Sequence, residues 1–368
     1  MINISKPIFY YSIFSASVAI YIAFVSTFLN SELATASVSY FINIIFYLVL
    51  GCLFYFAMKK SHDIESQLSL VIDFVILCAL FNGVIILLEF LIPSFRVTIE
   101  SILLSSNSNI DYLERNNRFR GLASGGAANL SLFYGFALVS LYYQLLLGRI
   151  KSHNFIIAFF VIFMSCLLIG RTGLVIAGVG VFLISILSFF TKNLSTFKSS
   201  FFIIMMFFIL PIVPIFLSQF MTNYMLDYAL MFFYSGFDGI KSEGTVDILA
   251  EMTTYPDSYL SAFIGVGSDS GGFLPNTRSD SGYLKMFTTL GYPLAIILYC
   301  LIAYVFINSS LQVNKYRWVL LVFIGAWFFS EIKEPFIFKG YTARFLWFTL
   351  AMLTADIWNK KNLTRKMI

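Results

Sequence analysis

The chain has 368 residues, of which 59% are hydrophobic, 18% aromatic and only 12% charged, with a formal net charge of +5. Soluble domains average roughly 45–50% apolar and about 25% charged residues, and 43 Phe plus 21 Tyr exceed what one or two aqueous cores can bury. A water-soluble enzyme is excluded; the composition is that of a polytopic integral membrane protein of the all-α class. Cys52, Cys78, Cys166 and Cys300 all fall in long apolar runs, where they act as small hydrophobes and imply no disulfide framework. His62 and His153 sit in short basic loops, so no His cluster builds a metal site, and no metal or cofactor is expected.

A helix needs about 20 apolar residues to cross the hydrocarbon core. The run from Ile8 to Leu29 is longer than a signal-peptide core and lacks a convincing cleavage site, so it is read as the first span. About ten spans follow from this criterion: 8 to 29, 38 to 58, 68 to 92, 124 to 147, 155 to 170, 172 to 190, 200 to 218, 282 to 308, 317 to 332 and 341 to 357. The break at Gly170-Arg171-Thr172 reads either as a turn between two spans or as a kink. This divides the chain into residues 1–218 with seven spans and an outer loop at 93–123, a large outer loop at 219–281, and residues 282–368 with three spans and a tail.

Basic residues in short loops set orientation. Lys6, Lys59, Lys60, Arg149, Lys151, Lys192, Lys198, Lys315, Arg317, Lys360, Lys361, Arg365 and Lys366 fall on one side, which places both termini in the cytoplasm. The outer segments hold the other 11 basic residues, and 7 of these are Arg against 3 of 13 inside. Topology needs only charge, whereas a guanidinium grips carboxylate or phosphate with a planar fork. Lipid head-group binding and ion pairing with the outer acids form a second reading.

Position favours the first. Arg118 and Arg120 precede the span near Ser124, Arg171 precedes the one at Thr172, Arg278 precedes the one near Ser281, and Arg344 lies in the first turn of the last. All four helices run inward, so their N-termini, with free N–H groups and a positive dipole end, face outward as anion sites. The small residues from Gly121 to Ala128 let a ligand or a neighbouring helix approach, and Ser124 can cap the helix. Glu89 and Asp73, near the ends of their span, are read as reaching the interface.

The 219–281 loop combines eight carboxylates with Tyr224, Tyr228, Tyr234, Tyr255 and Tyr259, which suits either a carbohydrate groove or a solvated acidic loop; its 224–234 stretch reads as an interfacial helix. The segment Gly265-Val266-Gly267-Ser268-Asp269-Ser270 fits no nucleotide-binding template and is read as a mobile turn near a site. Glu331 and Glu334 stand i, i+3 on one helix face, with Pro335 stopping the helix; they suit acid/base work or, more conservatively, ion pairing.

The chain resembles the Wzy-type O-antigen polymerases of Gram-negative bacteria, within the group that includes the O-antigen ligases. The likeness lies in the architecture of the whole chain and in Arg118-Phe119-Arg120-Gly121 running to Asn129, Gly170-Arg171-Thr172, Gly265-Val266-Gly267, and Asp280-Ser281-Gly282-Tyr283-Leu284 leading to Gly291. The resemblance implies a GT-C-like, metal-independent glycosyltransferase of the bacterial inner membrane. It would transfer a growing chain from undecaprenyl diphosphate to an incoming undecaprenyl-diphosphate-linked oligosaccharide at the periplasmic face. Membrane lipid surrounds it, no nucleic acid is involved, and a chain-length regulator (polysaccharide co-polymerase) and a flippase are the implied partners.

On that reading Arg171 and Arg278, assisted by Arg118, Arg120 and Arg344, hold the diphosphates, and a carboxylate takes the proton of the attacking hydroxyl. The carboxylates are Asp280, Glu331 and Glu334, Asp280 first because it lies two residues from Arg278; its other reading is a helix N-cap. The alternatives are an O-antigen ligase, a family expected to use a periplasmic His that is missing here, and a lipid-linked oligosaccharide flippase, expected to have near-symmetric halves and cations deep in its helices.

Overall fold

The computed structural model describes residues 6–29, 34–104, 119–123, 127–190, 256, 258–270 and 279–367. Among these no strand occurs, and the helices are α1 (Lys6–Leu29), α2 (Thr35–Met58), α3 (Ile64–Leu91), α4 (Pro93–Leu104), α5 (Ala127–Leu146), α6 (Ser152–Ile169), α7 (Arg171–Phe190), α8 (Tyr259–Ile264), α9 (Gly282–Leu290), α10 (Tyr292–Leu311), α11 (Arg317–Ser330) and α12 (Gly340–Met367). Five of them, α1, α2, α3, α6 and α10, are long and apolar enough to cross a membrane. Among the described residues the protein is therefore all-helical, with several helices suited to embedding in a membrane. On α3 the exposed side chains Phe74, Leu77, Phe81, Val84 and Leu88 recur at three- and four-residue steps, a stripe suited to lipid. The expected span at 200 to 218 and the 224–234 helix lie outside the described residues.

The chain divides into two compact units, residues 1–70 with 245–368, and residues 71–244. In the first, α1 pairs with α2, α2 packs along α12, and α10 contacts α9, α11 and α12. Gly51 lets α2 approach α12 closely, because a side chain there would strike the Phe348 carbonyl oxygen and, 2.8 Å away, the Ala351 methyl. Tyr11, Phe41, Leu48, Leu298, Ile302 and Trp347 are among the residues lining an apolar, partly open pocket between α1, α2, α10 and α12. In the second unit α5 packs on both α6 and α7. There Gly173 sits on the Ser131 carbonyl and Gly135 lies against the Gly173 backbone, a small-residue crossing.

Three boundaries differ from the sequence expectation. The single span at 282 to 308 is two helices, because Gly291 adopts φ +79° and its backbone passes against Phe263, where only glycine fits. The segment 93–123, expected to be an outer loop, contains a further helix, α4. Helix α11 ends at Ser330, before both glutamates, so Glu331 and Glu334 occupy a turn and do not share a helix face. By contrast, Gly170 does separate two helices: Ser131 Oγ donates to the Gly170 carbonyl (2.5 Å) and accepts from the Gly173 N–H (2.8 Å), satisfying both ends of the break.

Candidate functional site

The expected site residues fall in both units, and each unit is built by its own local chemistry. In the unit that holds residues 71–244, Arg171 is the first residue of α7, and Arg120 lies in the turn 119–123; Arg118 and Ser124 are outside the described residues. The Arg120 turn is docked on the C-terminal part of α3. Asn82 donates to the Arg120 carbonyl (3.3 Å) and to the Tyr134 hydroxyl (3.2 Å), and accepts from the Leu122 N–H (2.8 Å). The Gly121 N–H donates to Glu89 Oε2 (3.1 Å). Gly121 has φ +58°, and a Cβ there would collide with the Asn82 amide, so glycine is required on both counts.

Glu89, read from the sequence as reaching the interface, is turned into the protein. It is 3% exposed and serves the turn 32 residues away. Asp73, by contrast, is exposed, and it accepts from Gln144 Nε2 (2.8 Å). Beside the turn, the Arg96 guanidinium carbon lies 4.8 Å from the Phe119 ring centre while Arg96 Nε donates to Glu100 (2.7 Å), and Phe90 meets Phe119 edge-on at 5.7 Å.

In the unit that holds residues 245–368, Glu331 is fully buried. Its carboxylate accepts from the Tyr299 hydroxyl (2.8 Å) and the Ile337 N–H (2.8 Å), and its carbonyl accepts from the Gly282 N–H (2.8 Å). Two indoles fasten the same turn: Trp327 Nε1 donates to the Phe336 carbonyl (2.6 Å) and Trp347 Nε1 to the Ile337 carbonyl (2.8 Å). Past the last residue of α11, burial pushes the Glu331 carboxyl up to about 8, against the lowering effect of the Ile337 and Tyr299 bonds. Glu331 thus ties α9, α10 and the 331–339 turn together, its main-chain carbonyl holding α9 and its carboxyl the other two.

Glu334 instead pairs with Lys339 (3.2 Å), at the surface of the turn. Asp280 is open, with its side chain 77% exposed and 3.6 Å from Lys285 Nζ. Its alternative reading as an N-cap is not what the structure has: Ser281 holds the N-cap position of α9. Arg344 sits in the second turn of α12, exposed, with its guanidinium 5.6 Å from the Tyr341 ring centre. Arg278 lies outside the described residues.

The Gly265-Val266-Gly267 turn is held at several points. Val266 N–H donates to the Thr288 carbonyl (2.7 Å), Thr289 Oγ1 donates to the Ser268 carbonyl (3.0 Å), and the Asp269 carboxylate accepts from the Ala36 (2.9 Å) and Ser37 (3.0 Å) N–H groups at the start of α2. Asp269 is thus the N-terminal cap of a helix more than 230 residues away, a role local sequence spacing does not disclose. No group of His, Cys, Asp and Glu among the described residues could hold a metal ion. Comparison with protein-family models, curated proteins and solved structures finds no match to this chain.

Proposed function

We propose that this chain is a metal-independent glycosyltransferase of the O-antigen polymerase type, set in the bacterial inner membrane with about ten spans, both termini in the cytoplasm and its site on the periplasmic face. It lengthens a polysaccharide by moving the growing chain from undecaprenyl diphosphate to the next undecaprenyl-diphosphate-linked repeat unit. The observation that carries the reading is the recurrence of arginine beside the starts of the helices that the positive-inside rule runs inward; of these, Arg120 lies in a turn fastened to α3 and Arg171 opens α7.

The chemistry asks little else of the protein. The acceptor sugar hydroxyl attacks the anomeric carbon of the donor, the bond from that carbon to the diphosphate oxygen breaks, and the electron pair leaves on the diphosphate. Guanidinium groups of Arg171 and Arg278, with Arg118, Arg120 and Arg344, take up that charge. The hydroxyl proton passes to a carboxylate, and Asp280 is the favoured one because it is exposed, whereas Glu331 is sealed and Glu334 is paired with Lys339.

Deleting the gene in its own host tests this. A polymerase loss leaves a single repeat unit on the lipopolysaccharide core, and complementation restores the ladder. A core with no repeat unit would point to the ligase or the flippase, and carrier-linked units held on the cytoplasmic face to the flippase.

A further inference from the structure

The turn that presents Arg120 is fastened by two α3 side chains that have no part in the transfer itself. Asn82 grips the residues on either side of Gly121, and Glu89 grips Gly121 itself, so three consecutive backbone groups are fixed by one helix. Burying an acid in an apolar helix is expensive, and membrane helices keep one only where it has a task. Glu89 Oε1 has no hydrogen-bond partner among the described residues, so the acid is not held in place by a network of its own. The backbone hydrogen bonds it accepts come from the turn, from Gly121 and from Arg120.

We propose that Asn82 and Glu89 are positioning residues that lock the Phe119-Arg120-Gly121 turn onto α3, so that Arg120 meets the substrate diphosphate already in place. The proposal rests on the polymerase reading. Neither residue touches the reacting atoms; both act by removing the freedom of a short loop, which would otherwise be lost on binding. Glycine at 121 belongs to the same device, since any side chain there would displace the Asn82 amide.

The test is binding of undecaprenyl diphosphate to the purified full-length chain in detergent, arranged as a double-mutant cycle. Arg120→Ala weakens binding by about tenfold or more, the value of a charge-assisted hydrogen bond. Glu89→Ala weakens it by a similar factor, and in the Arg120→Ala background Glu89→Ala adds less than about twofold, because it acts through that arginine. Glu89→Gln, which keeps an oxygen for the Gly121 N–H, stays within about threefold of the unaltered chain.

A loss from Glu89→Ala that is unchanged in the Arg120→Ala background, or Glu89→Gln as damaging as Glu89→Ala, overturns the positioning role. Should Glu89→Ala not fold, Asn82→Ala takes its place in the cycle with the same expectation. An unaltered chain that binds undecaprenyl diphosphate and builds polymer while the cycle is additive leaves the polymerase reading intact and removes this one. An unaltered chain with no affinity for undecaprenyl diphosphate removes both.

Discussion

Replacing Glu331 separates a structural carboxyl from a catalytic one. In Glu331→Ala the Tyr299 hydroxyl and the Ile337 N–H lose their acceptor inside a site with no solvent access. Each unpaired buried donor costs about 1–3 kcal/mol, so the pair, with the small cavity left behind, amounts to roughly 3–5 kcal/mol. Glu331→Gln keeps the volume and one acceptor oxygen and should cost no more than about 1.5 kcal/mol.

The pH dependence adds an independent sign. Because burial raises the carboxyl from 4.5 to about 8, the folded chain holds this proton more tightly than the unfolded chain. The contribution is full below 4.5 and is lost as pH rises toward about 8. Thermal unfolding in detergent between pH 5.5 and 9 should therefore show the unaltered chain losing stability as pH rises and Glu331→Gln losing less. Equal behaviour of the Ala and Gln variants, with a pH slope shared by all three proteins, would refute the buried-carboxyl account and return Glu331 to the list of open acids.

Asp269→Ala removes the cap of α2 and should lower stability by about 1–2 kcal/mol, with Asp269→Asn intermediate, read as a fall in thermal midpoint. Gly291→Ala combines a positive φ with a backbone collision against Phe263 and should cost about 2 kcal/mol or more, measured as lost folded yield and a lower midpoint. Asp280→Asn should leave stability within about 0.5 kcal/mol, since its carboxylate is 77% exposed and stands 3.6 Å from Lys285 Nζ. The same variant should abolish the polymer ladder at normal protein level; full polymerisation by Asp280→Asn would remove it as the base.

Hydropathy made the apolar helices legible because lipid demands long runs that satisfy their own backbone, and α1, α2 and α3 lie close to their expected limits. The break inside the eighth run escaped hydropathy, which is continuous there. Its trace was Gly291 followed by Tyr292-Pro293, a glycine at a forced turn and a proline in a helix's first turn. The Glu331/Glu334 pair was misplaced for a tertiary reason: Tyr299, Ile337 and the two indoles pull the chain out of the helix at Ser330, and i, i+3 spacing cannot register partners that distant. Glu89 and Asp269 failed the same way, since each serves backbone groups far along the chain. Arg171 was legible as the opening of a helix, but the dock beneath Arg120 was not, because a lone Asn82 in a largely apolar helix gives no signal of a partner 38 residues away.

The most direct trial of the guanidinium clamp is the lipopolysaccharide profile of the gene-deleted host carrying Arg171→Ala or Arg278→Ala at normal protein level. Each should give a core bearing a single repeat unit, with Lys replacements only partly restoring chain length because an ammonium lacks the planar fork. Long chains of ordinary length from both alanine variants would contradict the claim.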